Sequence, residues 1–492
     1  MAEHVEALIV GAGLSGIAAG VKLRGEGIDD FAIIDKGPEF GGTWRANTYP
    51  GVACDVPSQV YSFGFAPNRE WSRVFAPGNE IFRYLLDVVD RFDLRKHARF
   101  GCEMLSARWN EVTSRWDVET TAGDFEARFL IVGTGPLEDP LIPSVPGLDS
   151  FPGRAFHSAQ WPSDYDARGD RVAVIGTGAS ALQIFPELAA DAERIALFQR
   201  TPPWIIPKPD WQHSRLFRGA IRRFPSVAPA MRRAEWMFAS AVLMSLYSVT
   251  AGRGIAHLAR YNINRAIKDP EVRAALTPDY VPGCKRLGLS NTYYPALARP
   301  NATLIASGLA HVEGSTLIAS NGAGFEADTI IFSTGFQVAD APIHRRIFDR
   351  DGRSLAERWD GCPRAYKGIT MSGCPNAFML LGPNGLSSSQ TVSAEAQADH
   401  IAAAIRTVRD RDLRSIEVRE SVEMAWKQGA NRKLARLVHT RGGCQAFYLD
   451  REGNNAAMYP SRTLGGVVKD MRDFDIDAYD LVHRRIETSV GS

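Results

Sequence analysis

Two glycine-rich segments constrain the fold of this 492-residue chain more strongly than any other feature. In the first, Gly11, Gly13 and Gly16 follow an apolar, strand-like run that begins near Val5, and a helix-compatible stretch comes next. This order places the phosphates of a dinucleotide against a helix N-terminus at the edge of a parallel sheet. The glycine spacing alone is weak, so the interpretation rests on the strand before it and the helix after it. We therefore predict an α/β, Rossmann-like domain here.

The same plan recurs later in the chain, which predicts a second Rossmann-like domain. Gly176 and Gly178 follow the apolar run 172–175, and a helix-compatible stretch follows them. Ala181 stands at the third glycine position, which needs only a small side chain for the helix to pack on the strand. Two dinucleotide-binding domains are therefore expected in one chain.

The residue beyond the second strand of each unit distinguishes the two expected ligands. Asp35 and Arg200 stand at the same distance from Gly11 and Gly176, the first glycines of their units. A carboxylate accepts hydrogen bonds from ribose hydroxyls, whereas a guanidinium pairs with a 2′-phosphate. We therefore expect FAD in the first domain and NADPH in the second, with Thr201 beside Arg200. The alternative is that Arg200 is an ordinary surface arginine after a strand.

The second unit is expected to interrupt the first domain. Two apolar runs that end in Thr-Gly, at 129–135 and 329–335, flank it, and a proline-rich linker lies at 140–147. The predicted division is residues 1–147 and 331–492 for the two parts of the FAD-binding domain, and residues 148–330 for the inserted NADPH-binding domain, which carries a helical insertion at 208–282.

Charge is balanced overall but not locally. The chain has 57 lysines and arginines against 56 acidic residues, so no overall attraction for nucleic acid is expected. Residues 201–300, however, hold 15 basic and 5 acidic residues. An uncharged apolar run at 236–252 follows a basic segment, which suggests either a weak peripheral membrane contact or a helix packed on the neighbouring domain. The basic segment contains Arg222, Arg223, Arg232 and Arg233.

The six cysteines include no C-x-x-C pair, so neither a metal site nor a redox motif of that type is expected. The first ten residues lack the basic start and long apolar stretch of a secretion signal. We therefore expect a reducing, cytoplasmic location. The sequence gives no indication of oligomeric state.

The sequence argues against several other kinds of reaction. Disulfide reductases need a nearby cysteine pair, and Cys54 has no second cysteine before Cys102. The sequence also contains no G-x-S-x-G, H-E-x-x-H or Walker A motif. Oxygen is then the natural partner of a reduced flavin.

Longer motifs resemble those of the type I Baeyer-Villiger monooxygenases, within the flavin-containing monooxygenases. The resemblance extends in order along essentially the whole chain. Its residues are Gly41, Gly42 and Trp44; Tyr49, Pro50, Gly51 and Asp55; the linker motif Phe151, Gly153, His157, Trp161 and Pro162; the pair Lys285 and Arg286; and Gly382, Pro383 and Asn384.

The resemblance implies a role for most of these residues. Arg286 would face the flavin and Asp55 would position it, while Lys285 would help to hold the 2′-phosphate. His157 and Trp161 would couple domain movement to the position of NADP+, although His157 can also be a satisfied core histidine. The full set expected to bind cofactor is Gly11, Gly13, Gly16, Asp35, Gly42, Thr43, Trp44, Asp55, Gly176, Gly178, Ala179, Ser180, Arg200, Thr201, Lys285 and Asn384.

The implied activity consumes NADPH and O2 and converts ketones to esters or lactones through a C4a-peroxyflavin. A fixed cation that keeps its charge at any working pH suits such a reaction. Two alternatives stay open from the sequence: a monooxygenase that oxygenates sulfides or amines, and an NADPH oxidase or electron-transfer flavoprotein that oxygenates no organic substrate. The Trp161-Pro162 ending of the linker motif favours ketones. The identity of the ketone and the bond that migrates are not encoded in any readable motif.

Overall fold

A computed structural model describes residues 2–224, 226–245, 249–337, 341–442, 444 and 448–483. Its strands are β1 (Glu3–Val10), β2 (Phe31–Asp35), β3 (Ala98–Phe100), β4 (Met104–Asn110), β5 (Arg115–Thr120), β6 (Phe125–Val132), β7 (Arg154–His157), β8 (Arg171–Ile175), β9 (Arg194–Phe198), β10 (Ile205–Ile206), β11 (Gly288–Leu289), β12 (Ala302–Ile305), β13 (Leu309–Glu313), β14 (Thr316–Ala319), β15 (Gly324–Glu326), β16 (Thr329–Phe332), β17 (Ile347–Phe348), β18 (Ala377–Met379), β19 (Leu413–Val418) and β20 (Tyr479–His483).

The α-helices are α1 (Leu14–Gly25), α2 (Thr43–Ala46), α3 (Gly78–Arg91), α4 (Ala179–Asp191), α5 (Arg215–Arg223), α6 (Val227–Ser245), α7 (Val249–Ala266), α8 (Pro270–Ala275), α9 (Tyr293–Leu297), α10 (Leu355–Trp359), α11 (Gln390–Asp410), α12 (Glu420–Leu434), α13 (Val438–Arg441) and α14 (Leu464–Arg472). Short 3₁₀ turns lie at Arg95–His97, Leu148–Ser150, Ser158–Gln160, Pro342–Arg345 and Ile476–Ala478.

The first sheet has the strand order β17-β4-β5-β6-β1-β2-β3, and β18 also pairs with β6. Its centre is parallel, because Val10 at the end of β1 is paired with Ile34 on one side and Val132 on the other. The carboxyl ends of these buried strands meet at one edge, from which Gly11 and Asp35 emerge. Helices α1, α3 and α11 contribute to the apolar core on one face.

The second sheet is entirely parallel, in the order β12-β9-β8-β16-β7. Its strands come from residues 154–332, whereas the first sheet takes strands from before and after that stretch. The prediction of two Rossmann-like domains, one inserted in the other, is therefore confirmed. The exact boundaries at 147 and 330 stay predictions.

The first glycine of each unit occupies the same structural position. Gly11 and Gly176 both have a positive φ, +106° and +107°. A Cβ on Gly11 would lie 2.6 Å from the carbonyl oxygen of Gly133, and one on Gly176 would lie 2.5 Å from that of Ser333. Each turn is thus pressed against the backbone that follows a neighbouring strand, β6 or β16, and only glycine fits.

The helical insertion lies across both domains. Helices α5 to α8 fall within the predicted 208–282, but α6 packs on the first domain as well as beside α5 and α7. Arg232 of α6 donates a hydrogen bond to the Ser62 carbonyl at 3.0 Å, and Glu235 accepts one from the Gln59 N–H at 2.8 Å. The insertion therefore ties the second domain to the loop at 57–62 of the first.

The apolar run at 236–252 is described in two parts. Helix α6 ends at Ser245 and α7 begins at Val249, and residues 246–248 lie outside the described residues. Among the described residues, no helix combines the length and the apolar character needed to cross a bilayer.

The third glycine of the first unit gives a direct test of this packing. A Cβ on Gly16 would lie 1.8 Å from the Gly11 carbonyl oxygen, whereas one on Gly25, at the end of the same helix, meets nothing within 4 Å. Gly16→Ala should lower the free energy of unfolding by about 1–3 kcal/mol, because the helix must move off the strand. Gly25→Ala should be neutral or stabilising. Urea unfolding of both variants measures this, and equal stability of the two would contradict the close approach.

Candidate active site

The first glycine loop meets a second glycine-containing turn, backbone to backbone. A Cβ on Gly42 would lie 2.8 Å from the Gly13 Cα. Gly13 is the N-cap of α1, and no side chain caps this end of the helix. The N–H groups of the first turn can therefore donate hydrogen bonds to a ligand. Gly42 leads directly into α2, whose first two residues are Thr43 and Trp44. This cradle, which any side chain would fill, fits the phosphates of a dinucleotide.

Asp35 lies over the same loop at the end of β2. Its two carboxylate oxygens accept hydrogen bonds from the N–H groups of Ala12 and Gly37, each at 2.7 Å. A carboxylate can accept about four hydrogen bonds. These two contacts therefore fix the side chain and leave acceptor positions for ribose hydroxyls.

The second glycine loop has the same open helix N-terminus. Gly178 is the N-cap of α4, again without a side-chain cap, and Ala179 is the first residue of the helix. The Thr177 hydroxyl donates a hydrogen bond to the Thr201 carbonyl at 3.0 Å, which holds the loop after β9 beside the helix start. Arg200 lies in that loop and is exposed.

A second cation lies near Arg200. Burial lowers the pKa of Lys285, and the positive charge of Arg200 lowers it further, because the two cations repel each other. The Lys285 ammonium lies 5.4 Å from the centre of the Tyr280 ring, a cation–π contact that directs it. The two neighbouring cations, one of them in the loop held beside the α4 N-terminus, carry the charge that a doubly charged phosphate requires. The assignment of Arg200 and Lys285 to the 2′-phosphate stays a prediction.

The loop after Gly42 positions the second domain. Tyr49 accepts a hydrogen bond from the Ser180 hydroxyl at 3.3 Å and donates one to the Gln183 amide oxygen at 3.1 Å. The Gln183 amide in turn donates to the Ala53 carbonyl at 2.9 Å. A Cβ on Gly51 would lie 2.8 Å from the Gln183 carbonyl, so this turn approaches α4 closely. The first turns of α4 are thereby fixed against the first domain.

The same loop ends at Asp55, which forms the most direct link between the domains. Arg286 donates two parallel hydrogen bonds to it, from Nε to Oδ2 at 2.8 Å and from Nη2 to Oδ1 at 2.6 Å. Burial alone would raise the pKa of Asp55, but the charge and hydrogen bonds of Arg286 outweigh burial and keep this pKa below its ordinary value. The pKa of Arg286 is raised, chiefly by Asp55.

Arg286 is surrounded by protein yet not sealed off. Its side chain keeps 48% of its surface accessible, compared with 26% for Asp55. A side chain that lines a cleft has this combination of many neighbours and an open face. The guanidinium is therefore anchored on one side and accessible to a ligand on the other.

Three further side chains surround this pair, and the sequence did not identify them. The buried Tyr448 hydroxyl is hydrogen-bonded to Arg286. Lys208 lies close enough to lower the pKa of Asp55, and its ammonium donates to the Cys54 carbonyl at 3.4 Å. Burial raises the pKa of the Cys54 thiol to about 12, and Asp55 adds to this shift. The contacts of Tyr448 with Arg286 and of Lys208 with the 54–55 segment join residues more than 150 positions apart, so no local pattern could have revealed them.

Comparison with known proteins identifies the family. The sequence profile of the family described as pyridine nucleotide-disulphide oxidoreductase matches residues 8–216, which include both glycine loops. A Baeyer-Villiger monooxygenase of Streptomyces coelicolor is 43% identical over 494 residues, covering 100% of this chain and 95% of that protein. The chain belongs to the Baeyer-Villiger monooxygenases.

Solved structures of such monooxygenases share the fold. Cyclohexanone monooxygenase from Rhodococcus sp. Phi1, bound to NADP+, matches with a TM-score of 0.85 and 30% identity, covering 98% of this chain and 100% of that one. OTEMO in complex with FAD and NADP matches with a TM-score of 0.87 and 26% identity, with the same coverage. The family resemblance inferred from the motifs is thus confirmed.

The linker histidine of this Baeyer-Villiger monooxygenase is fully buried. His157 ends β7 and is paired with Phe332 of β16. The Ala159 N–H donates to its Nδ1 at 3.1 Å, so a neutral ring carries its proton on Nε2. Burial lowers the pKa of His157, which favours this neutral form. The coupling of His157 to domain movement stays a prediction.

The other linker residues pack within the second domain, of whose sheet β7 is an edge strand. A Cβ on Gly153 would lie 2.1 Å from the Asp328 carbonyl, so the linker passes directly over the chain before β16. Phe151 packs on the apolar cluster of that domain. Trp161 lies edge-on to Phe156, with ring centres 5.2 Å apart. The linker of the monooxygenase is therefore a packed segment and not a loose connection.

The Asn384 side chain of this monooxygenase is enclosed by protein and hydrogen-bonded to protein groups. It is fully buried, with a φ of +57°. Its amide donates to the carbonyls of Asn455 and Met458 at 2.8 and 3.0 Å, and its oxygen accepts from Lys427 at 3.2 Å. Both amide hydrogens are used in these bonds, so any contact of this loop with flavin would come from its backbone. The assignment of Asn384 to FAD binding stays a prediction.

Proposed function

We propose that the chain is a FAD-dependent monooxygenase that uses NADPH and O2 to convert ketones to esters or lactones. The carrying observation is the Asp55–Arg286 pair, a permanent cation held by two hydrogen bonds where the two domains meet. Membership of the Baeyer-Villiger monooxygenases supports the reaction class. NADP+ and FAD in the structural relatives support the choice of cofactors.

The residues of each loop fit one cofactor. FAD would lie along Gly11, Gly13, Gly16 and Gly42, with Asp35 on its ribose. NADPH would lie along the α4 N-terminus, with Arg200 and Lys285 on its 2′-phosphate. Bound FAD, once reduced by NADPH, supplies an activated oxygen atom from O2.

Arg286 supplies the positive charge that this oxygen chemistry requires. A guanidinium keeps its charge at any working pH, and Asp55 raises its pKa further. Burial raises the pKa values of the neighbouring Cys54 and Tyr448, so both stay neutral and the charge faces little competition. In such surroundings a fixed cation stabilises a developing negative charge far better than water does. Asp55 holds the guanidinium in place throughout.

The choice between ketones and the alternatives rests on this charge. An anionic oxidant attacks a carbonyl carbon as a nucleophile, whereas sulfide and amine oxygenation needs the protonated oxidant. A permanent cation lowers the pKa of an adjacent acid and so favours the anion. The ester formed per NADPH consumed distinguishes this reaction from that of an oxidase, which can use the same cation. Which ketone is oxidised depends on lining loops that the motifs do not specify.

Removal of the central cation is the first test. Arg286→Ala should reduce ester formation by about a hundredfold or more, the range found when a stabilising donor at a developing anion is removed. Reduction of FAD by NADPH should persist, and hydrogen peroxide should replace the ester as product. Arg299→Ala, which removes an exposed arginine of the same domain, is the control. Ester formation by Arg286→Ala at the rate of the control would contradict the assignment.

Removal of the phosphate-binding cation is the second test. Arg200→Ala should lower kcat/KM for NADPH by roughly ten- to a hundredfold, the equivalent of one charge-assisted contact of about 1.5–3 kcal/mol. The value for NADH, which lacks the 2′-phosphate, is the internal control and should not change. An unaltered ratio of the two values would reject Arg200 as the specificity residue.

A weak contact with anionic membranes belongs to the same proposal. The outward face of α6 is apolar, with exposed Met237, Phe238 and Met244. Arg233 is exposed on the same helix, and Arg223 is exposed on the neighbouring α5. Apolar side chains flanked by arginines fit an anionic lipid surface.

Vesicle sedimentation tests this contact. The protein should co-sediment with vesicles of phosphatidylglycerol and phosphatidylcholine but not with phosphatidylcholine alone. Met237→Asp with Phe238→Asp should abolish binding, because each charge opposes insertion into lipid. Val112→Asp, at an exposed apolar residue of the first domain, is the control. No sedimentation of the unaltered protein with anionic vesicles would exclude the contact.

A further inference from the structure

A disulfide lies next to the proposed catalytic arginine. It joins Cys284 and Cys444, which are 160 residues apart in sequence. Cys284 immediately precedes Lys285 and Arg286, whereas Cys444 follows α13 in the last part of the chain. The cysteine spacing gave no indication of this pair, and the expectation of a reducing location did not anticipate a disulfide, because the two cysteines meet only through the fold. The proposed reaction makes no use of it.

The chain around the disulfide is closely packed. A Cβ on Gly442 would lie 2.6 Å from the Cys284 Cβ, so the two backbones approach at the bond itself. The Val281 N–H donates to the Gly442 carbonyl at 3.4 Å. Cys284 also shares an apolar cluster with Trp204 and with Val438 of α13. The loop that carries Arg286 is therefore held against α13 by packing and by a covalent bond.

The disulfide connects the two domains. Cys284 lies in the chain segment that builds the second sheet, between β9 and β12. Cys444 lies between α12 and α14, whose Leu434 and Met471 pack with Ala396 of α11 on the first domain. Four residues after Cys444, Tyr448 reaches Arg286. The covalent link thus runs beside the ionic link between Asp55 and Arg286.

We propose that the Cys284–Cys444 disulfide is a redox-sensitive positioning element for Lys285 and Arg286. In the oxidised protein it fixes the loop that presents both cations. In the reduced protein the loop loses its covalent link and is held by packing and by the ion pair between Arg286 and Asp55, so NADP+ binds less tightly and more oxygen is released as hydrogen peroxide at the expense of ester. The second of these consequences rests on the proposed function.

The redox step is a thiol–disulfide exchange with a dithiol reductant. Cys444 is partly exposed and Cys284 is fully buried, so a thiolate of the reductant attacks the Cys444 sulfur. The Cys284 sulfur leaves as a thiolate and takes up a proton from the medium. The second thiol of the reductant then releases Cys444 as a thiol. Two electrons and two protons pass to the protein, and the reductant becomes a disulfide. Hydrogen peroxide reverses the change, forming the disulfide and two water molecules.

The experiment uses the holoenzyme before and after treatment with dithiothreitol, with the thiol state verified by peptide mass. The dissociation constant for NADP+ should rise roughly fivefold or more on reduction, the usual scale of coupling between sites. The ester formed per NADPH consumed should fall. Cys444→Ser should show both changes without dithiothreitol and no further response to it. Cys362→Ser, at another partly exposed cysteine, should behave like the unaltered enzyme.

The outcomes separate this inference from the proposed function. An unlinked Cys284 in the oxidised protein, or equal NADP+ affinity and equal ester yield in both redox states, would overturn the inference while leaving the monooxygenase activity standing. A redox-dependent NADP+ affinity in a protein that forms no ester from any ketone would support the inference for binding and reject the proposed function.

Discussion

The ion pair between Asp55 and Arg286 is the interaction on which the arrangement of this protein depends. Each partner comes from a different domain, so the pair exists only when the domains are correctly placed. Loss of Arg286 would leave the largely enclosed Asp55 carboxylate without its partner, which is unfavourable. Other contacts between the domains converge on the same loop: Tyr49 with Ser180, and Ala53 with Gln183. A single loop of the first domain thus sets the position of both the second glycine loop and the cation.

The site combines a few fixed charges with many neutral groups. Around Arg286, burial keeps a thiol and a tyrosine in their uncharged forms, so the guanidinium is opposed mainly by the carboxylate that orients it. Lys285 extends the positive charge toward Arg200 and the second helix N-terminus. One short segment, 284–286, therefore holds a covalent link, the cation proposed to bind the 2′-phosphate and the central cation. The proposed roles in cofactor binding and in chemistry therefore both depend on the position of that segment.

The fold and the cofactor loops could be predicted from sequence because their constraints are local. A positive φ at Gly11 and a contact that excludes any Cβ at Gly16 leave glycine as the only choice, and this choice is visible in the sequence. Arg286 was identified by family resemblance. Lys208, Tyr448 and the partner of Cys284 could not be found in this way, since their contacts depend on how distant segments meet. Asn384, by contrast, was recognised in a sequence motif and expected to bind FAD, but its side chain is hydrogen-bonded to the backbone of the protein itself.

The placement of the guanidinium relative to bound flavin is the most direct test. A crystal structure of the protein with FAD and NADP+ should show Arg286 within hydrogen-bonding reach of the isoalloxazine ring, while still paired with Asp55. A guanidinium turned to solvent, with the flavin facing other residues, would contradict the account.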